Sequence, residues 1–187
     1  MKTIALSLVL MAFSTAFAAP PKKLSSSDLQ KIVDARRAAL PAVDHAKTAR
    51  CQPMLDAYNK DPEHGDEQLV DAARCFSDAG AVAAAISSWQ VVVKYMPSKP
   101  AAKEATRALG DLYERAADFP RAAEWDENYW AHYPSEPDAK QVLTRAACIR
   151  FQLGDNEHAT RDVKSLRGDA ATLCDAIRPI EMPKRAP

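Results

Sequence analysis

Glycine is scarce in this chain, five residues in 187, and strict alternation of apolar and polar residues is nearly absent. Those two shortages exclude an architecture of hairpins and sheets and leave helix, which the abundance of alanine favours. Neither charge sign dominates. The chain carries 25 basic and 25 acidic side chains, and neither sign forms a long run. This balance argues against nucleic-acid binding. Beyond the first residues no stretch reaches the roughly 18 apolar residues of a membrane span, so direct membrane insertion is not expected.

Motifs of catalysis are missing as well. The histidines His45, His64, His132 and His158 are scattered, and no two cysteines stand at the CxxC interval of a zinc module. Two acidic segments, one with Asp61, Glu63, His64, Asp66 and Glu67 and one with Asp155, Glu157 and His158, read as solvated turns and helix starts rather than cation sites. Ser25 to Ser27, Ser87 and Ser88 lack the glycine-framed elbow of a hydrolase. Glu124 with Asp126 or Glu127 reads as a charged helix face rather than an acid–base pair. No Gly-rich phosphate loop occurs. The expectation is a protein without enzymatic activity, cofactor or metal.

What is present begins at the N-terminus. Lys2 precedes an apolar run from Ile4 to Phe13, interrupted by Ser7, and Ala16 and Ala18 then supply the small side chains of a cleavage site. This is the pattern of a secretory signal peptide over 1–18, with Ala19-Pro20 as the new N-terminus. A lipoprotein would carry a cysteine there, whereas the first cysteine is Cys51. The expected location is therefore the periplasm or the exterior. The 25 basic residues less Lys2 leave 24 against 25 acidic ones in the mature chain.

The most informative feature is internal repetition at a shift of 37 residues. Pro97-Ser98-Lys99-Pro100-Ala101-Ala102-Lys103 recurs as Pro134-Ser135-Glu136-Pro137-Asp138-Ala139-Lys140, with Tyr95 and His132 equivalently placed upstream. Gly80, Ala117 and Gly154 keep the same interval, and so do Ala85, Ala122 and Ala159. Each unit reads as a helix, a tight turn at the small residue and a second helix ended by proline, which lacks an amide donor and biases its predecessor away from helical angles. The alanine of each second helix marks a close helix–helix approach.

These units resemble the tetratricopeptide repeat family. In the first, Leu69, Ala72, Ala73, Phe76, Gly80, Ala85, Trp89 and Pro97 stand at the family's positions. The second offers Leu109, Gly110, Tyr113, Ala117, Ala122 and Pro134, with Thr106 and Asp126 where the family has bulky apolar groups. The third offers Leu143, Ala146, Ala147, Gly154, Ala159, Val163 and Leu166, with Arg150 in place of the aromatic. The Pro-Ser-x-Pro linkers are similar to those of bacterial envelope proteins related to outer-membrane assembly lipoproteins and the Tol-Pal accessory protein. The resemblance implies an all-α fold, a short right-handed superhelix of antiparallel helix hairpins. The period exceeds the family's usual length, which should lengthen the linker or the following helix.

The organisation that follows is a signal peptide at 1–18, a flexible segment at 19–24, an N-terminal helical hairpin at 25–65 and three repeats at 66–102, 103–139 and 140–173. The end of a capping helix and a disordered tail fill 174–187. Ser27 or Asp28 is expected to cap the first helix, and the second should run from Val43 to Tyr58 with a kink at Pro53. A terminal helix over 169–177 should cover the last repeat. Four cysteines permit three pairings in an oxidising compartment. Cys51 and Cys75 lie about equally far either side of the loop near Glu63, level in an antiparallel hairpin, and Cys148 and Cys174 flank the third repeat. Spacing therefore favours Cys51 with Cys75 and Cys148 with Cys174, against the alternative of four buried thiols.

The family resemblance implies a groove lined by the first helix of each unit, in which a protein or peptide partner of the cell envelope lies. The outward positions there are Arg74, Asp78, Arg107, Asp111, Glu114, Arg115, Gln141, Thr144 and Gln152. Their mixed charge suits a polar segment. Trp125, Tyr129 and Tyr133 share one helical face and read as packing, while Trp89 and Trp130 are candidates for exposed aromatic anchors. An envelope glycan- or lipid-binding accessory protein is the competing class, and a hydrolase ranks behind both.

Overall fold

A computed structural model describes residues 23–168, 173–174, 179–181 and 183 of the chain. The expected signal-peptide segment and most of the expected terminal helix and tail lie outside the described residues. Among those described, Leu173 and Cys174 are helical.

The described residues form an all-helical fold without strands. In chain order the helices are α1 (Ser26–Ala38), α2 (His45–Lys60), α3 (Asp66–Asp78), α4 (Val82–Tyr95), α5 (Pro100–Arg115), α6 (Phe119–His132), α7 (Ala139–Leu153) and α8 (Asn156–Leu166). From α2 onward each helix packs on the next. Alanine makes this stacking close: Ala72, Ala73, Ala85, Ala105, Ala122, Ala123, Ala146 and Ala147 have no exposed surface. Larger side chains, among them Leu69, Phe76, Trp89, Leu109, Phe119, Leu143 and Ile149, fill the space between layers.

The 37-residue spacing is repeated in the backbone. Gly80, Ala117 and Gly154 all adopt left-handed angles, with φ of 72°, 57° and 80°. After each of them an amide donates back to the carbonyl five residues earlier: Ala81 to Phe76, Asp118 to Tyr113 and Asp155 to Arg150. This closes the last turn of α3, α5 and α7 and satisfies carbonyls that helix ends leave free. The linkers match too, since Lys99 N–H donates to the Met96 carbonyl and Glu136 N–H to that of Tyr133.

Several element boundaries differ from the sequence reading. Ser25, not Ser27 or Asp28, caps α1, its hydroxyl accepting from the Asp28 amide at 3.1 Å. Asp44 caps α2, so that helix starts at His45, and it continues through Pro53 to Lys60. Pro100 is the first residue of α5, where its missing amide donor costs nothing.

The N-terminal segment crosses the array. Leu24 N–H donates to the Gln152 carbonyl at the end of α7, Arg36 of α1 reaches Glu114 near the end of α5, and Asp44 N–H donates to the Ala79 carbonyl at the end of α3. Thus α1 and its flanks run past the C-terminal ends of the three first helices in turn, with Ile32 buried beneath. Cys51 of α2 is joined to Cys75 of α3, with Cα atoms 5.5 Å apart, and Cys148 of α7 to Cys174, at 5.4 Å. Hence the hairpin α2–α3 and the segment after α8 are both covalently fastened.

Candidate functional site

Charged side chains of α3, α5 and α7 meet on one face. Arg74 of α3 forks onto both oxygens of Glu104 of α5, at 2.8 and 2.5 Å. Arg107 donates to Asp111 at 2.6 Å and to Asp138, just before α7, at 3.1 Å. Lys103 pairs with Glu136 at 2.8 Å. Arg145 of α7 donates to both oxygens of Asp126 at 2.6 Å each, and its third arm reaches Asp111 at 2.5 Å and Glu114 at 3.0 Å. The inter-helix partners stand 30 to 34 residues apart in sequence wherever α3 meets α5 or α5 meets α7. One repeat therefore places each arginine beside its neighbour's carboxylate.

At the centre of this network Asp126 is fully buried. Burial pushes its carboxyl up to about 6 against the pull of the Arg145 guanidinium, which leaves it ionised at neutral pH. Burial also opposes the charge on Arg145, but the carboxylates of Asp126 and Asp111 outweigh it and raise the guanidinium's pKa. Gly110 of α5 makes the pair possible, since a Cβ there would clash with the Asp126 Oδ1 atom. Tyr129 donates its hydroxyl to Asp138 at 2.9 Å, and burial, with this bond, pushes the phenol up to about 12.

The outward positions read from the sequence separate into three groups. Arg74, Arg107, Asp111 and Glu114 belong to the ion-pair network. Asp78, Arg115 and Gln141 are exposed; Gln141 lines a small cleft of about 160 Å³ together with Arg107 and Arg145. Thr144 and Gln152 are corrections, because both are buried. The Thr144 hydroxyl donates to the Lys140 carbonyl at 2.7 Å, a bond within its own helix. Gln152 is covered by a later part of the chain: its amide donates to the Ile180 carbonyl at 3.2 Å and accepts from the Ile180 amide at 3.1 Å. Arg36 holds the same segment through the Pro179 and Glu181 carbonyls, at 2.6 and 3.0 Å. Asp126, read from the sequence as part of a charged helix face, is instead buried, and sequence reasoning missed Arg145 and Arg36. The signal for Asp126 was an acid at the repeat position held by Trp89 and Val163 in the other two units.

The remaining candidates resolve as local structure. Trp89 is a correction, being buried, with its indole N–H donating to Ser77 at 3.1 Å, and Trp130 is half-buried. Ser87 donates to the Ala83 carbonyl and Ser88 is buried. Glu127 is held by Arg150 at 2.7 Å and Arg161 at 3.1 Å. His64 and His158 bond the aspartates three residues before them. Among the described residues no three metal-ligating side chains converge, and no helix is long and apolar enough to cross a membrane. Asp162 of α8 is buried, and its Oδ2 has no partner among the described residues. Burial, reinforced by Glu127, pushes that carboxyl up to about 6.

Comparisons with protein-family models, with curated proteins and with solved structures found no match.

Proposed function

We propose that this protein is a non-catalytic scaffold of the tetratricopeptide type, a right-handed solenoid of helix hairpins that acts in the bacterial cell envelope. It binds an extended segment of a partner protein along the face lined by α3, α5 and α7. The observation that carries this reading is the segment Pro179–Glu181, whose backbone is gripped by Gln152 at the end of α7 and by Arg36 beside Glu114. A surface that holds three consecutive residues by their peptide groups has the hydrogen-bonding equipment for a peptide ligand. The exposed side chains of Arg74 on α3 and Gln141 on α7 continue the same face. Two disulfides fit an oxidising compartment, periplasmic or extracellular.

The test is capture of crosslinked partners from the protein's own envelope fraction, comparing wild type with an Arg74→Ala, Arg107→Ala, Gln141→Ala variant of unchanged helical circular dichroism. One protein captured by wild type and lost in the variant supports the scaffold. Retention of glycan alone, or identical capture by both proteins, overturns it.

A further inference from the structure

A second cleft lies at the C-terminal ends of α3 and α5, where the connection between α1 and α2 passes the turn into α4. A cleft of about 450 Å³ opens there, with Leu40, Val43, Val82 and Ile86 among its apolar walls. Leu40 and Val43 are 36% and 37% exposed, unusual for large aliphatic side chains in so alanine-packed a molecule. Above the turn the space is free, since a Cβ on Gly80 would meet no atom within 4 Å.

Both charged residues that line the cleft are arginines, Arg37 and Arg115. Neither has a carboxylate partner among the described residues, whereas Arg36, Arg74, Arg107, Arg145 and Arg150 each have one. The start of α4 adds to the positive field. Asp118 and Asp155 cap α6 and α8 with their side chains, but the equivalent residue before α4 is Ala81, which offers no cap. Val82, the first residue of α4, is part of the cleft wall.

We infer that this cleft docks a short partner segment that presents a large apolar side chain flanked by carboxylates. The apolar walls take the side chain out of water, and Arg37 and Arg115 supply charge-assisted donors for the acids. An anionic membrane fits less well, because surface adsorption draws on clusters of about four to eight basic residues rather than two around a concavity. The inference goes beyond the proposed scaffold role and concerns a cleft that shares no lining residue with the one beside Gln141, and it moves Arg115 from the expected groove to this cleft.

Fluorescence anisotropy on the full chain with both disulfides formed decides the matter. The probes are fluorescein-labelled Asp-Asp-Leu-Phe-Asp-Asp, its apolar-deleted form Asp-Asp-Ser-Ser-Asp-Asp and its charge-reversed form Lys-Lys-Leu-Phe-Lys-Lys. The first peptide binds saturably, the other two at least about tenfold more weakly, and Arg37→Glu, Arg115→Glu weakens the first by at least about tenfold. Leu40→Ser, at an exposed site, does the same without adding charge beside either arginine. The Arg74→Ala, Arg107→Ala, Gln141→Ala variant keeps full affinity, so failure of this docking site and failure of the scaffold face give separable results. Absence of saturable binding, equal affinity for the three peptides, or equal affinity in the Arg37→Glu, Arg115→Glu variant overturns the inference. So does binding of phosphatidylglycerol vesicles, lost in that variant, in the absence of peptide binding.

Discussion

Gln152 and Ile180 exchange two hydrogen bonds, side-chain amide to backbone amide in both directions, at 3.2 and 3.1 Å. A residue of α7 thereby treats a segment 28 positions later as it would a neighbouring strand. Both partners are buried, so neither bond has water as a ready substitute. Replacing Gln152 by Ala leaves the Ile180 amide without its acceptor. We expect hydrogen exchange at the Ile180 amide to accelerate by about tenfold or more while amides in the α3–α4 hairpin exchange as before. Unchanged exchange at Ile180 would show that the segment is held by its apolar burial alone.

Gly110→Ala tests the pairing of Asp126 with Arg145. The added methyl group clashes with a carboxylate oxygen, and the buried acid must shift from its place beside the guanidinium. Overpacking and a damaged buried ion pair together cost about 3 kcal/mol or more, read as a shift in the urea midpoint. Asp126→Ala in the same background removes the clash, so the double variant is less destabilised than the sum of the two single ones.

Asp162 gives stability a pH dependence of definite sign. Its folded value of about 6 lies above the roughly 3.9 of an unfolded aspartate, so the folded chain holds this proton longer. The group's penalty is absent below about pH 4, grows as pH rises toward 6 and is complete above it. Asp162→Asn keeps the shape and removes the charge. It is expected to stabilise the protein by about 2 kcal/mol more at pH 7.5 than at pH 4.5 in paired urea titrations. Equal effects at both pH values would refute the assignment.

Gly80→Ala isolates a backbone cost. The new methyl group meets nothing within 4 Å, yet φ is +72°, a region in which L-residues are strained. A loss of about 1 kcal/mol in thermal or urea unfolding is expected.

The disulfide between Cys148 and Cys174 closes a loop with a sequence separation of 26. Replacing both cysteines with serine should lower stability by about 3 kcal/mol, through the freedom restored to the unfolded chain. Because the bond ties the chain after α8 to α7, the double variant should also speed exchange at the Ile180 amide. Loss of stability without that second effect would mean that Gln152 and Arg36 suffice to hold the segment.

Helix content, the phase of the repeats and the turn positions were legible because they depend on local chemistry. Gly80 and Gly154 permit left-handed turns and Ala117 marks the same position between them, proline at Pro97 and Pro134 stops a helix, and alanine at Ala85, Ala122 and Ala159 allows close approach. The partners of Cys51 and Cys148 were legible because hairpin geometry constrains them. The site was less so. Gln152 and Thr144 lie on helix faces that the repeat pattern alone leaves outward, and nothing in the pattern tells that residues 179–181 return to cover the first. Asp126 stood out as an anomaly, but an acid at an apolar position does not name its cation.

By itself the amino-acid sequence determined an all-helical chain in 37-residue units with two disulfide-compatible cysteine pairs, since periodicity, turn chemistry and proline stops act within a few residues of one another. Tertiary structure alone decided which charges meet across repeats, that α1 straps the ends of α3, α5 and α7, and that Arg37 and Arg115 border an apolar cleft. Those relationships join residues tens of positions apart, and their energies exist only once burial has fixed the helices and removed water from between the partners.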